Sequence, residues 1–524
     1  MIVNKKYILL IITITVIVIG TSFLFSKDKL NTLQISLLGG AQQISGSSFL
    51  IDTNLDDILV DCGIFYPEHQ NLDYHFDKRS TEKKNSILDV DPNSISAIIL
   101  SHAHLDHIGK TPLIVKKGFD GEIILTRKTA EIASIMFERM SLKNSDFGLE
   151  TFFKSKNSNK YHSHKSCQWK NKIKKKNLIK IKKHRNDLIY PEKMCDVCIQ
   201  KELKDIESLY KIINYRTPYN LFGSVFIELY DAKHIPGSAS ILVTYKLDNR
   251  NESIYFSGDV GSGIDNILQG MPDNPKNVDY VFMESTYGGY NRKLPKNPFR
   301  EFYNSINNSI KNSELIWIPS FVLDRTQKIL NQIKIGYEEE YIEKIPPIFI
   351  LSSSAKEINK VYAKYYDFKT GLENEFFNMS PKDISYLNKK PSIVITPSYI
   401  DDLDFFHPVI EKIVKDKNGR IFIVGYQDPR SFGGVLRKIN HGDIIKLGNN
   451  SIRVNANVEY LGGAFSGHID QSGIINYIDN IVVRKGIYLT HGNFENMKEL
   501  KEKIHKRFNV KCQIPDYNWI LNVD

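Results

Sequence analysis

SHAHLDHIGKTP, residues 101–112, ends the apolar run Ile95–Leu100 with His102, His104, Asp106 and His107, four ligand-type side chains in six positions. A loop leaving a buried strand turns alternate side chains to one side. His102 and His104 can therefore meet one cation while Asp106 and His107 reach a second. The spacing predicts a dinuclear metal site rather than a polar loop with scattered histidines, because ligand types recur at other strand ends. Such N and O donors favour zinc, with manganese or iron also compatible.

Outward from this stretch, LQISLLGGAQQISGSSFLID reads as two strands about Gly39-Gly40, and DDILVDCGIF as a third that ends at Asp61. Asp61 suits the orienting of a ligand histidine, the alternative being a plain turn residue. A helix is expected over 129–141. The strand Ser224–Ala232 then leads to His234, SIYFSGD sets Asp259 at a strand end where its two oxygens can bridge two metals, and YVFMESTYGG does the same for Glu284. His468 and His491 again lie beside strand-like runs that lead into helices. Repeated strand, loop and ligand predicts a site along one edge of a β-sandwich. Between about 290 and 450, the runs LIWIPSF, PIFILSS, PSIVITPS and RIFIVGY alternate with helical segments, which predicts a parallel sheet faced by helices in an inserted domain.

Length and balance describe a folded chain: 524 residues, 41% hydrophobic and 25% charged, room for two or three domains. The net charge of +10 is concentrated in residues 152–186, which carry 13 Lys or Arg and no acid, so this segment reads as a basic insertion. Beside it, His162, His164, Cys167, Cys195 and Cys198 form an H-x-H-x2-C, C-x2-C array. It reads either as a structural zinc site of His164, Cys167, Cys195 and Cys198, or as a solvated lysine-rich loop with unpaired or disulfide-bonded cysteines. Thirteen charges would attract a phosphate backbone, and Trp169 could stack on a base. Residues 7–25, YILLIITITVIVIGTSFLF, follow Lys5 and Lys6 with 19 uncharged, mostly apolar residues. That length predicts a membrane anchor rather than a cleaved signal peptide, hence a single-pass, membrane-anchored protein of open topology.

From Leu33 to Phe508 these motifs resemble the metallo-β-lactamase fold, and more narrowly its β-CASP branch of nucleases, which includes the cleavage and polyadenylation endonuclease and the ribonuclease J group. The lactamase motifs correspond to Asp61, to His102, His104, Asp106 and His107, to His234, and to Asp259. The cap motifs correspond to Glu284, to His468 in SGHID and to His491 in THG. PSFVLDRTQKIL resembles a family segment, with Asp324 where a Gly is usual. ITPSYIDDL, Ile395–Leu403, departs from the family's usual Ser-Gly-Met loop.

The resemblance implies an α/β protein, an αββα sandwich with an inserted α/β cap. Its expected segments are an anchor at 1–29, a first sandwich part at 30–288 with the basic insertion at 150–200, a cap at 289–452, and a last sandwich part at 453–524. It implies two zinc ions, one on His102, His104 and His234, the other on Asp106, His107 and His491, with Asp259 and an activated water shared. His468 would then be the proton donor, oriented by Glu284, alongside Asp106 in the catalytic set. The implied function is cleavage of phosphodiester bonds in single-stranded RNA or DNA. The competing readings are a small-molecule hydrolase of the same fold and a non-catalytic nucleic-acid-binding subunit.

Overall fold

The computed structural model describes residues 33–53, 56–66, 78–142, 196–246, 250–264, 267–368, 388, 390–397, 403–425, 432–447 and 450–523. Two seven-stranded sheets stack face to face. The first runs Ile520–Val523, Leu33–Gly39, Ser48–Asp52, Asp57–Cys62, Ile95–Ile99, Glu122–Leu125, Tyr210–Ile212. The second runs Lys511–Gln513, Val482–Thr490, Asn277–Glu284, Asn251–Phe256, Ala239–Lys246, Val225–Asp231, Tyr219–Phe222. Period-two patterning drives the stacking. Along Leu33–Gly39 every second residue is buried, and Leu33, Ile35 and Leu37 meet Ile227, Ile241, Phe256 and Phe282 between the sheets.

Helices cover both outer faces. Gln471–Asp479 and Phe494–Arg507 bury Ile474, Ile478, Met497 and Leu500 on the second sheet, while Arg127–Leu142 and Asp196–Glu207 cover the first. The order is helix, sheet, sheet, helix. A third sheet, Ile348–Ile350, Ser392–Pro397, Leu315–Ser320, Gly419–Ile423, Asn457–Tyr460, is parallel throughout. Its inner strands Leu315–Ser320 and Ser392–Pro397 are buried throughout, as expected when helices cover both faces. The helix Ser353–Tyr365 ties this unit to Arg127–Leu142: the Tyr365 hydroxyl donates to Glu131 at 2.6 Å, and Lys364 pairs with the same carboxylate at 2.7 Å.

Strand direction makes one edge chemical. Asn251–Phe256, Asn277–Glu284 and Val482–Thr490 are parallel neighbours, with Phe256 beside Phe282 and Glu284 beside Thr490. Their carboxyl ends therefore deliver Asp259, Glu284 and His491 to the same edge. Asp57–Cys62 and Ile95–Ile99, parallel in the facing sheet, deliver Asp61 and His102.

Several expectations change. The membrane anchor is withdrawn: among the described residues no helix is long and apolar enough to cross a membrane, and residues 7–25 lie outside them. The single-pass, membrane-anchored location and a membrane partner go with it. The helix Asp196–Glu207 begins inside the stretch expected as the basic insertion, 150–200, and buries Leu203 and Ile206 in the core. His162, His164, Cys167, Trp169 and Cys195 of the proposed third zinc site and basic segment lie outside the described residues, as does the Cys198 side chain.

Candidate metal centre

After Ile95–Ile99 the chain turns at Ser101 into the short helix Leu105–Ile108, so His102 and His104 precede the helix and Asp106 and His107 sit in its first turn. His104 Nδ1 lies 3.1 Å from both His102 Nε2 and His234 Nε2. Asp259 Oδ2 is 3.5 Å from His102 Nε2 and from His234 Nε2. On the other side, Asp259 Oδ1 is 3.3 Å from His107 Nε2 and from His491 Nδ1, while His491 Nε2 is 3.5 Å from Asp106 Oδ2. Two donor groups thus form, His102, His104, His234 and Asp259, and Asp106, His107 and His491, with one Asp259 oxygen toward each.

These contacts fit cations better than one another. Three ring nitrogens converging at such distances cannot all hydrogen-bond mutually, and Oδ1 of Asp259 is buried without a hydrogen-bond donor among the described residues. Burial, with the neighbouring His107, pushes His102 down to about 3, and burial also lowers His104 and His234, so their lone pairs stay free. Burial would raise Asp106, but the His491 hydrogen bond and the His107 charge hold it at about 2. Burial would likewise raise Asp259, yet His491 and His107 keep it ionised. Two ionised carboxylates beside the uncharged rings of His102, His104 and His234 form a hollow suited to borderline metals.

The His102, His107, His234 and His491 rings are held from behind. Asp61, at φ 55°, accepts from Ser101 N–H and Oγ–H, each at 2.8 Å, and from His107 Nδ1 at 2.7 Å. His102 Nδ1 meets Ser101 Oγ at 3.0 Å, His234 Nδ1 donates to the Gly467 carbonyl at 3.0 Å, and His491 Nδ1 meets Thr286 Oγ1 at 3.2 Å. His491 is itself left-handed, φ 50°, and such backbone is costly enough to need surrounding contacts to hold it. Ser101, Thr286 and the Gly467 carbonyl escaped sequence reading, since each acts through one backbone or hydroxyl contact that no spacing announces.

His468 and Glu284 adjoin these two donor groups, Glu284 grouping with Asp259 and His491. His468 Nδ1 donates to Glu284 Oε1 at 3.0 Å, and its Nε2 stands 3.9 Å from Asp259 Oδ2, farther than the other rings. Glu284 also accepts from Val260 N–H at 2.9 Å and Thr286 N–H at 3.2 Å, so its oxygens are already occupied by donors. Burial would lower His468, but the Glu284 and Asp259 charges raise it. His468 lines a cavity of about 160 Å³ whose opposite wall, Phe321 to Arg325, comes from the third sheet's unit. There Asp324 adopts φ 74°, the left-handed backbone that a glycine takes without strain, and Tyr362 and Lys328 clamp its carboxylate at 3.0 and 2.6 Å.

Residues 42–141 match the metallo-β-lactamase superfamily profile, and residues 451–515 match a Zn-dependent metallo-hydrolase RNA specificity domain. The chain belongs to the metallo-β-lactamase superfamily. The second of these profiles is that of a metal-dependent hydrolase. The chain is similar to the transcription termination factor FttA of Methanocaldococcus jannaschii, 23% identical over 509 residues, covering 92% of this chain and 70% of that one. It is similar also to an RNase J-like protein of the same organism, 25% identical over 499 residues, covering 93% and 98%. In fold, this metallo-β-lactamase-fold chain is similar to a crystal structure of a protein of unknown function from Enterococcus faecalis V583, with a TM-score of 0.51 at 14% identity, covering 94% of this chain and all of that one.

Proposed function

We propose that this chain is a two-metal phosphodiesterase that cuts single-stranded RNA, with residues 289–452 acting as a cap over the metal edge. The observation that carries the reading is Asp259 divided between two donor groups, one oxygen each, at 3.3 and 3.5 Å. His102, His104 and His234 would hold one zinc, and Asp106, His107 and His491 the other. Bound there, the pair supplies Lewis acidity toward the phosphoryl oxygens and a water acidified toward neutral pH. The match of residues 451–515 and the RNase J-like relative favour RNA as substrate.

The chain's own residues supply position and protons. Asp61 holds the His107 proton at Nδ1, which leaves Nε2 facing Asp259. The Gly467 carbonyl does the same for His234. Glu284 keeps a proton on His468 Nδ1 and favours the imidazolium, so Nε2–H can protonate the leaving oxygen from the cavity wall.

Replacement of Asp106 or His107 by Ala is the test. Either variant should stay soluble, lose one of two bound metals by elemental analysis, and lose cleavage of both RNA and a nitrophenyl phosphodiester. Retention of wild-type activity in either variant would end the two-metal reading.

A further inference from the structure

Tyr287, on the cavity wall, sets its ring edge-on to His468 at 6.0 Å, and Tyr290 packs edge-on against Tyr287 at 5.3 Å. From there the aromatic surface turns outward. Tyr290 is 47% exposed, and Tyr460, at the end of the outermost strand of the third sheet, is 43% exposed. The two belong to one patch: around the Tyr290 hydroxyl, which burial and Tyr287 raise, lie Arg292, Tyr460 and Arg437. The exposed Arg437 lays its guanidinium 4.4 Å from the Tyr460 ring centre, and Arg292 lies 5.5 Å from that of Tyr287.

Two of these anchors are rigid. Tyr290 donates its N–H to the Tyr287 carbonyl at 3.3 Å and accepts from Gln471 N–H at 3.2 Å, and Asn291 receives Ser472 N–H at 2.7 Å. Arg292 is held by the carbonyls of His468, at 2.6 Å, and Gly463, at 3.3 Å. Single exposed aromatics are ordinary, but a run that starts at the metal cavity and emerges at the surface beside the exposed Arg437 is not a scattered set. An uncharged apolar partner would leave the guanidinium over Tyr460 without a counter-charge. A single-stranded nucleic acid offers π-faces to the rings and a phosphate to Arg437 together.

We propose that Tyr290 and Tyr460, backed by Arg437 and continuous with Tyr287, form a base-stacking track that leads single-stranded nucleic acid from the surface to the metal edge. The proposal rests on the nuclease reading and adds the strand's path. Stacking needs only a base's face, so the track binds without regard to sequence, while Arg437 adds a salt-dependent phosphate contact.

The test is steady-state cleavage by the zinc-loaded full chain of a single-stranded RNA carrying 2-aminopurine outside the scissile position, with bis(p-nitrophenyl) phosphate alongside. Tyr290→Leu and Tyr460→Leu should each raise KM for the RNA roughly tenfold and abolish the 2-aminopurine quenching. Hydrolysis of the small diester should stay unchanged. Tyr290→Phe and Tyr460→Phe, which keep the ring, should restore both, and Arg437→Gln should flatten the salt dependence of KM. If the leucine variants match wild type on RNA, the track is wrong although the enzyme cuts RNA. If wild type cuts neither substrate, the nuclease reading fails and takes the track with it.

Discussion

His468 differs from the rings around Asp259 by a few tenths of an ångström and by its partner. Its Nε2 stands 3.9 Å from Asp259 where the others lie at 3.3–3.5 Å, and its Nδ1 is committed to a buried carboxylate. A proton donor needs that separation. His468→Ala should keep both metals yet lose about 10² to 10⁴ in rate, and a substrate with a low-pKa leaving group should recover much of it. Parallel loss of metal and activity would make His468 a ligand. The pH profile gives a second readout. The charges of Glu284 and Asp259 raise His468, so it stays protonated to higher pH than an ordinary imidazole, and the rate falls as pH rises through its pKa. Glu284→Gln removes one raising charge and should move that alkaline limb to lower pH. An unmoved limb would separate Glu284 from the proton's control. Much of this was legible from sequence because ligands follow apolar runs at strand ends. What acts through a single contact, as Ser101 or the Gly467 carbonyl does, leaves no periodic trace.

Among the elements, the pairing of Asn277–Glu284 with Val482–Thr490 matters most, since these neighbours carry Glu284 and lead into His491. At the opposite end of the pair, Arg484 forks onto Asp279, with Nε to Oδ1 at 2.7 Å and Nη2 to Oδ2 at 2.9 Å. Ser253 adds its N–H at 2.9 Å and its hydroxyl at 2.6 Å. Burial would raise Asp279, but Arg484 and Ser253 hold it below the usual carboxylate range. A depressed folded pKa gives stability that is present above the unfolded value, about 3.9, and lost as pH falls through the folded one. Arg484→Ala should therefore cost about 1–3 kcal/mol by urea unfolding near neutral pH, and the difference from wild type should shrink on acidification. A constant difference down to the acid limit would remove Asp279 as the cause. Sequence reading found this strand pair by its apolar runs, but not the clamp between them: partners 205 positions apart show no spacing rule.

At the scale of the whole molecule, the sandwich is assembled from both ends of the described chain with the parallel-sheet unit between them. The alternation of strands and helices between 290 and 450 was visible because continuous apolar strands separated by amphipathic helices are distinctive. The strand Ile520–Val523, which pairs with Leu33–Gly39 and completes the first sheet, was not visible: four residues with a half-exposed pattern carry too little signal. The anchor reading failed differently. A hydropathy run sets a length and nothing more, and no described helix supports the span.

The same arrangement fixes when the enzyme can become active. Six of the seven proposed ligands, His102 through Asp259, lie in the first half of the chain, and the seventh, His491, arrives 33 residues before the end. A chain still on the ribosome holds an incomplete second metal group, without His468 or its loop, and the strand Val482–Thr490 that leads into His491 is missing from the second sheet. Ribosome-held chains of increasing length should gain metal-dependent diester hydrolysis only once residue 491 has cleared the exit tunnel. Activity at a length that still holds Val482–Thr490 inside the tunnel would show that the first-half ligands suffice. If they do not, any break that cuts off the last 70 residues yields a silent protein rather than an unregulated nuclease.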